Sequence, residues 1–135
     1  MAELRKIPAP EPTPETQVFW DAAREGRLLI GRCVDTGRAF YPPRACSPFT
    51  LGETTAEASG GEGTIYTFSI MRRTPTGPLA IGYVTLDEGP SLLTNFTGCE
   101  VDALRIGQRV RVVFTPTDSG PPVPTFTPID TQNKT

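Results

Sequence analysis

The 135-residue sequence predicts a mainly β protein with one short helix near its N-terminus. Fifteen prolines and thirteen glycines favour turns and short strands over long helices. From Gly63 onward, apolar residues alternate with polar ones, most regularly between Gln108 and Thr115, as they do in half-buried strands. The length suits one compact domain with a small N-terminal addition.

The positions of the prolines and glycines divide the chain into four parts. The first part alternates prolines and is predicted to be an extended arm, which lies on the body of the protein or on a partner. The boundaries are an arm at 1–13, a helix and hairpin at 14–58, a barrel at 59–130 and a polar tail at 131–135.

The predicted helix runs from Pro14 to about Glu25. Thr13 is a suitable N-cap, Pro14 suits the first helical position, and Gly26 is a typical C-terminal stop. The apolar residues expected on one face are Val18, Phe19, Ala22 and Ala23. Trp20 lies beside this face, so it either packs on the neighbouring hairpin or anchors a partner.

A hairpin is predicted after the helix, with strands at 27–32 and 39–41 joined across residues 35–37. Pro42 and Pro43 end the second strand, because proline cannot donate a hydrogen bond to a neighbouring strand. Residues 50–62 are polar and are predicted to be a connector into the second half of the chain.

Two cysteines give this hairpin the beginnings of a zinc ribbon. Cys33 and Cys46 each open a knuckle-like turn, but Thr36 and Phe49 stand at the second ligand positions. The chain contains no histidine that could replace them. We therefore expect no zinc, and an apolar plug of Phe40, Tyr41 and Phe49 where a metal would hold the turns. A Cys33–Cys46 disulfide is the alternative, which a reducing compartment argues against.

Five short strands follow, with a break between the third and the fourth, and this arrangement predicts a small barrel of the OB type. We expect Tyr66, Phe68 and Ile70 to share the inner face of the first strand. The break holds a helical or turn link at 101–107 in which Gly107 can be left-handed. The other strands are predicted at 79–87, 91–97, 108–115 and, at an edge, 123–129.

Composition excludes several functions. Without histidine, the commonest general base is absent, and Cys99 has no such base to activate it as a nucleophile. A net charge of −2 argues against binding to nucleic acid or to an anionic membrane. The three cysteines and the absence of an apolar signal or spanning segment predict a cytoplasmic protein with reduced thiols.

The order of motifs resembles a family of acyl-CoA-associated proteins in which a rubredoxin-like zinc ribbon precedes an OB-fold. The segments that carry the resemblance are Phe19-Trp20, Gly26 to Leu28, Arg32-Cys33, Tyr41 to Arg44 with Cys46, Gly61 to Phe68, Leu86 to Gly89, Leu104 to Gly107 and Val110 to Phe114. The resemblance implies an accessory subunit, not catalytic on its own, that docks on a thiolase-fold enzyme and supports acyl-CoA binding or active-site assembly. Here the ribbon is degenerate.

Two sets of residues are candidates for such a role. Arg72, Arg73, Arg109 and Arg111 could bind CoA phosphates, or they could be solvated surface. The expected partner interface is Trp20 with Tyr41, Pro42, Pro43 and Arg44. The alternatives are a stand-alone acyl-CoA-binding module and, with Tyr66, Phe68, Tyr83 and Phe96 as stacking residues, a single-stranded nucleic-acid binder. We expect these four aromatic side chains to lie mainly in the core.

Overall fold

The computed structural model describes residues 7–129, and it confirms a mainly β architecture. One helix, α1, precedes a small sheet that we call the ribbon. The ribbon strands pair in the order β2-β1-β3, with all pairs antiparallel. The bounds are α1 Gln17–Arg24, β1 Leu29–Cys33, β2 Ala39–Phe40 and β3 Thr54–Ala58.

Helix α1 begins later than the sequence predicts. Residues 13–16 form a separate turn, in which the Thr16 N–H donates to the Thr13 carbonyl at 3.0 Å. The helix buries Phe19, Ala22 and Ala23 as expected. Val18, however, is 48% exposed, because the eight-residue helix turns only a narrow face toward the core. Gly26 ends the helix with φ +80°, as predicted.

The third ribbon strand was not predicted. Residues 50–62 had the composition of a connector, yet β3 pairs with all five residues of β1. Its sequence, Thr-Thr-Ala-Glu-Ala, has no apolar alternation because neither of its faces meets the core. Pairing with β1 therefore decides its conformation, and local preference does not. Arg32 on β1 and Glu57 on β3 form an ion pair at 2.7 Å across this pairing.

The C-terminal half is a closed five-stranded barrel with the strand order β4-β5-β6-β8-β7. The last strand closes the barrel instead of lying at an edge, since it pairs with β7 and, in parallel at Phe96 and Phe126, with β6. A 3-10 helix occupies the predicted break at Val101–Ala103, and Gly107 has φ +91°. The strands are β4 Glu62–Met71, β5 Leu79–Leu86, β6 Ser91–Phe96, β7 Arg109–Thr115 and β8 Val123–Pro128.

A bulge in β4 moves one predicted core residue to the surface. The register with β5 shifts between Ile65 and Thr67. Ile65 and, beyond the bulge, Phe68 and Ile70 pack in the core, but Tyr66 is 67% exposed. A bulge changes which face of the sheet the following residues occupy. The prediction was wrong for Tyr66 because it assumed that the alternation continues unbroken across this point.

A single apolar core joins helix, ribbon and barrel. Phe19, Leu28 and Ile30 belong to the same buried cluster as Ile65 and Phe126. A carboxylate also ties the two sheets together: Glu88, in the β5–β6 turn, accepts hydrogen bonds from the Ser59 hydroxyl at 2.9 Å and the Gly60 N–H at 2.8 Å. The ribbon is therefore held in a fixed position on the barrel.

The described part of the N-terminal arm lies on the barrel. The Asp118 N–H, in the β7–β8 turn, donates to the Ile7 carbonyl at 2.9 Å. Residues 1–6 of the predicted arm, residue 130 and the predicted tail at 131–135 lie outside the described residues. Within 7–129, no helix has the length and apolarity needed to cross a bilayer.

Candidate functional site

The ribbon tip contains a turn built around Cys33. The Cys33 N–H donates to the Arg38 carbonyl at 2.9 Å, and the Gly37 N–H donates to the Cys33 carbonyl at 2.8 Å. The Arg38 N–H donates to the Thr36 hydroxyl at 3.2 Å. Gly37 takes the left-handed conformation that this tight turn requires, with φ +75°.

The same turn is built a second time around Ser47. The Ser47 N–H donates to the Gly52 carbonyl at 2.9 Å, and the Leu51 N–H donates to the Ser47 carbonyl at 2.9 Å. The Gly52 N–H donates to the Thr50 hydroxyl at 3.1 Å, and Leu51 has φ +65°. Ser47 therefore corresponds to Cys33, and Thr50 corresponds to Thr36.

This correspondence changes two of the expected ligand positions. Ser47 is fully buried beside Cys33, whereas Cys46 is exposed and forms no disulfide. Phe49 is 37% exposed and packs edge-on against Phe40, with ring centroids 6.0 Å apart. Ser47 and Thr50 thus face Cys33, in place of Cys46 and Phe49. The repeated threonine three residues after each turn start was the sequence signal for this register.

Hydroxyl groups surround the buried thiol of Cys33. Hydrogen bonds from Ser47 and then Thr36 lower the pKa of Cys33 to about 6, with a smaller contribution from Thr50. The Thr50 hydroxyl lies 3.7 Å from the sulfur and donates to Asp35 at 2.8 Å. In the described part of the chain, no group of three or more His, Cys, Asp or Glu residues could hold a metal ion.

The aromatic residues of the expected interface pack on one another. The Trp20 ring meets Phe19 edge-on, with centroids 4.8 Å apart, and Phe19 meets Tyr41 in the same way at 5.7 Å. Burial raises the pKa of Tyr41 to about 12. Pro43 is buried, while Arg44 is exposed. Trp20, Tyr41 and Pro42 are half-buried, so each offers only part of its surface to a partner.

The four arginines do not form one site. Arg72 and Arg73 follow the C-terminal end of β4, whereas Arg109 and Arg111 lie on β7 opposite the N-terminal end of β4. Arg109 forms ion pairs with Asp87 at 2.8 Å and with Glu62 at 3.3 Å, and it lowers the pKa of Asp87. Arg72 pairs with Asp102 at 2.8 Å.

The other two arginines have no such partner. Among residues 7–129, Arg73 and Arg111 make no ion pair, and both are exposed. Their guanidinium groups are therefore open to an anionic ligand without first breaking an internal pair.

A cleft that the sequence did not reveal separates the ribbon from the β5–β6 turn. Its volume is about 440 Å³, and Arg38, Tyr41 and Phe49 line its ribbon side. The guanidinium carbon of Arg38 lies 3.8 Å from the centre of the Phe49 ring. This stacking holds a cation beside an aromatic surface at the cleft.

The outer face of β5 and β6, together with the part of β4 from Tyr66 to Met71, carries no charged residue; Glu62, at the start of β4, lies outside this region and pairs with Arg109. Two rows cross the strands, Thr67–Tyr83–Leu93 and Ser69–Ile81–Asn95, as the strand registers show. Tyr83 is 44% exposed and Leu93 is 56% exposed. We call this surface the apolar face; its members are Tyr66, Thr67, Ser69, Met71, Leu79, Ile81, Tyr83, Thr85, Ser91, Leu93 and Asn95.

A shallow groove of about 240 Å³ lies in the middle of the apolar face, between Phe68, Ile81, Tyr83 and Leu93. Exposed tyrosine, leucine and methionine without charge are typical of the centre of a protein interface. This face was not predicted from the sequence, because Tyr66 and Tyr83 were both expected to lie mainly in the core. An outward tyrosine on a strand differs from an inward one only in register.

Cys99 lies at the start of the link after β6 and is half-buried. Burial, together with the neighbouring Glu100, raises the pKa of this thiol. A raised pKa keeps the thiol protonated, which agrees with a packing role.

Two family models match this chain: the ChsH2 rubredoxin-like zinc ribbon domain over residues 20–48 and the ChsH2 C-terminal OB-fold domain over residues 56–115. A DUF35 domain-containing scaffold protein from Pyrococcus furiosus is 30% identical over 101 residues, which cover 70% of this chain and 74% of that protein. A probable enoyl-CoA hydratase alpha subunit from Thermomonospora curvata is 32% identical over 117 residues, 82% of this chain. The chain spans only 36% of the length of that relative.

A solved structure described as an Ltp2-ChsH2(DUF35) aldolase has the same fold. It superposes with a TM-score of 0.77 at 27% identity, covering 88% of this chain and 98% of the matched chain. The superposition includes both the ribbon and the barrel, because neither alone could account for that coverage.

Proposed function

The chain belongs to the DUF35 family of proteins with a ChsH2-type ribbon and OB-fold, and on that basis we propose that it is an accessory subunit of a thiolase-fold enzyme. The similar chain of known structure is described together with Ltp2 as an aldolase, and two curated relatives are described as scaffold proteins. In this proposal the partner supplies the catalytic residues, and the present chain binds and positions that partner.

The apolar face is the observation that carries the proposal. Its exposed side chains come from three adjacent strands of a closed barrel, so their positions are fixed before any partner binds. Ordering such a surface costs little entropy on association, and an uncharged centre avoids the cost of desolvating ions. We assign the partner's docking site to this face, centred on the pair Tyr83 and Leu93.

A pair of charge substitutions tests the docking site. Tyr83→Glu places a carboxylate at the centre of the apolar face, and we expect it to weaken partner binding by about 30-fold or more, the effect of losing one hot spot. Ile106→Glu is the matched control, because Ile106 is 69% exposed but lies in the link before β7. The affinity of each variant is measured by biolayer interferometry against the enzyme that copurifies with the wild-type chain. Equal affinities for the two variants would reject this face.

The expected interface at the helix and ribbon forms a second, smaller part of the proposal. Arg44 is exposed and lies beside Val18 of the helix, while Trp20, Tyr41 and Pro42 are half-buried. Arg44→Glu is the informative change here, because Arg44 can be altered without disturbing the packed aromatic rings. A binding loss of less than twofold would confine the interface to the barrel.

We also propose, more specifically, that the chain supports acyl-CoA binding. CoA carries phosphates, and Arg73 and Arg111 are the exposed guanidinium groups of the original four that lack an internal ion pair in the described chain. Arg38, at the cleft, adds a cation beside aromatic rings that could accept an adenine.

Calorimetry with an acyl-CoA separates the accessory subunit from a stand-alone acyl-CoA-binding module. We expect measurable binding to the complex, weakened by Arg73→Ala, Arg111→Ala or Arg38→Ala but not by Arg72→Ala. Heat of binding to the isolated chain, at the same affinity as to the complex, would favour the stand-alone module.

A further inference from the structure

The family match implies a zinc ion in the ribbon, and the donor atoms at the ribbon tip do not fit one. The two equivalent turns bring together the side chains of Cys33, Thr36, Ser47 and Thr50. Structural zinc sites take four donors from cysteine and histidine, with two such turns each supplying a pair. Here three of the four positions hold hydroxyl groups, which stay protonated at neutral pH and are poor ligands for zinc.

The hydroxyl groups make contacts that join and shape the two turns. The Ser47 hydroxyl accepts hydrogen bonds from the N–H groups of Phe49 at 3.0 Å and Thr50 at 3.2 Å. The backbone of Thr36 hydrogen-bonds to the sulfur of Cys33 in the first turn. In each turn, therefore, the first side chain organises the backbone N–H groups that follow it.

Direct contacts between the turns replace the contacts that would pass through a metal. Thr50, from the second turn, lies 3.7 Å from the Cys33 sulfur and donates to Asp35 of the first turn at 2.8 Å. Ser47 also hydrogen-bonds to Cys33 and is itself fully buried. No buried side-chain nitrogen or oxygen lacks a hydrogen-bond partner in the described part of the chain, so the cluster is satisfied as it stands.

We propose that this ribbon is a metal-free variant of a zinc ribbon, in which the hydroxyls of Thr36, Ser47 and Thr50 enclose Cys33 and hold the two turns together. The backbone of the metal site is retained, and only its donor atoms have changed. The four positions therefore keep the spacing of a tetrahedral site, and thiols placed there bind zinc. This inference concerns the ribbon alone and does not depend on the proposed partner.

Two cysteine variants with equal numbers of ribbon thiols test the geometry. The first carries Thr36→Cys, Ser47→Cys, Thr50→Cys and Cys46→Ser, so that thiols occupy the four facing positions. The second carries Thr36→Cys and Phe49→Cys, so that thiols occupy the positions which cysteine spacing alone indicates. Each is titrated with Co²⁺, whose absorption spectrum reports tetrahedral thiolate coordination, and the cobalt is then displaced with zinc.

We expect the first variant to bind one Co²⁺ per chain with the tetrahedral spectrum, and at least about 100-fold more tightly than the second, since structural sites depend strongly on donor placement. Equal or tighter binding by the second variant would overturn the assignment of the four positions.

Measurements on the wild-type chain test whether the ribbon binds zinc, and they remain informative if a cysteine variant fails to fold. Protein purified without chelators is assayed for zinc by mass spectrometry, and its melting temperature is measured with and without EDTA. We expect less than about one tenth of an equivalent of zinc and the same melting temperature in both conditions. Stoichiometric zinc, or a chelator-induced fall in melting temperature, would overturn the proposal.

Ser47→Ala, which removes the buried hydroxyl, is expected to lower the melting temperature by several degrees. An unchanged melting temperature would contradict the proposal.

Discussion

At the scale of single residues, Cys33 has the most unusual environment. Its sulfur is buried, yet hydrogen bonds from Ser47 and then Thr36 favour the charged thiolate. The pKa of Cys99 is raised, so Cys33 and Cys99 differ in charge at neutral pH, while Cys46 is exposed. Selective alkylation rates would distinguish the three thiols, with Cys46 reacting first because it is the most exposed to solvent.

The lowered pKa of Cys33 predicts a pH-dependent contribution to stability. The folded thiol titrates at a pKa of about 6 and an unfolded one near 9.0, so between these values the unfolded state holds a proton that the folded state has lost. Stability from this group must then rise as pH increases from 6 to 9 and be absent below 6. We expect the stability difference between wild type and Cys33→Ser, measured by urea unfolding, to grow across this range.

Cys46→Ser is the matched control for that measurement, because its exposed thiol makes no comparable contacts. A wild-type minus Cys33→Ser difference that stays constant from pH 6 to 9 would contradict a thiolate in the folded protein.

Trp20 allows packing and partner binding to be separated at one residue. Because its ring packs against Phe19 and stays half-exposed, we expect Trp20→Ala to cost about 2 kcal/mol, less than a fully buried tryptophan. Val18→Ala on the same helix removes a largely exposed side chain and should cost less than about 0.5 kcal/mol. A loss of partner affinity at unchanged stability would instead make Trp20 an interface anchor.

At the scale of elements, the two equivalent ribbon turns allow opposite substitutions, to glycine in one turn and from glycine in the other, to be compared. Gly37 and Leu51 hold equivalent left-handed positions, but only Leu51 has a side chain that is strained there. We expect Leu51→Gly to stabilise the protein by about 1 kcal/mol and Gly37→Ala to destabilise it by a similar amount. Leu51 is 78% exposed, and an added Cβ at Gly37 meets nothing within 4 Å, so packing changes little in either case.

Urea unfolding of both variants measures these effects against wild type. The same sign for the two substitutions would contradict the equivalence of the two turns, since it would mean that the backbone at one of them is not left-handed.

The elements that were predicted well are those whose conformation is determined by their own residues. The barrel strands β5, β6 and β7 alternate in hydropathy because one side faces the core, and their bounds agree with the structure within two residues. Strand β3 and the β4 bulge depend on pairing with other strands, so their own residues carry no signal. The start of α1 shifted because Thr13 caps a turn in place of the helix.

At the scale of the whole molecule, the order of motifs predicted the family and the ribbon–barrel architecture, and the comparisons confirm both. The apolar face could not be predicted, because its tyrosines look like core residues until the barrel fixes which way each strand faces. The predicted register of the ribbon was wrong because it took Cys33 and Cys46 as equivalent positions, whereas the repeat of Thr36 and Thr50 marks the true register.

We propose that this chain works as a subunit of a thiolase-fold enzyme, and native mass spectrometry tests this proposal most directly. The tagged chain is purified gently from the organism that encodes it, with and without added acyl-CoA, and its intact mass is measured. We predict a complex of fixed stoichiometry containing a thiolase-fold enzyme, which Tyr83→Glu disrupts and Ile106→Glu preserves. Recovery of the chain only at its own 14.6 kDa mass, or at multiples of it, would contradict the account.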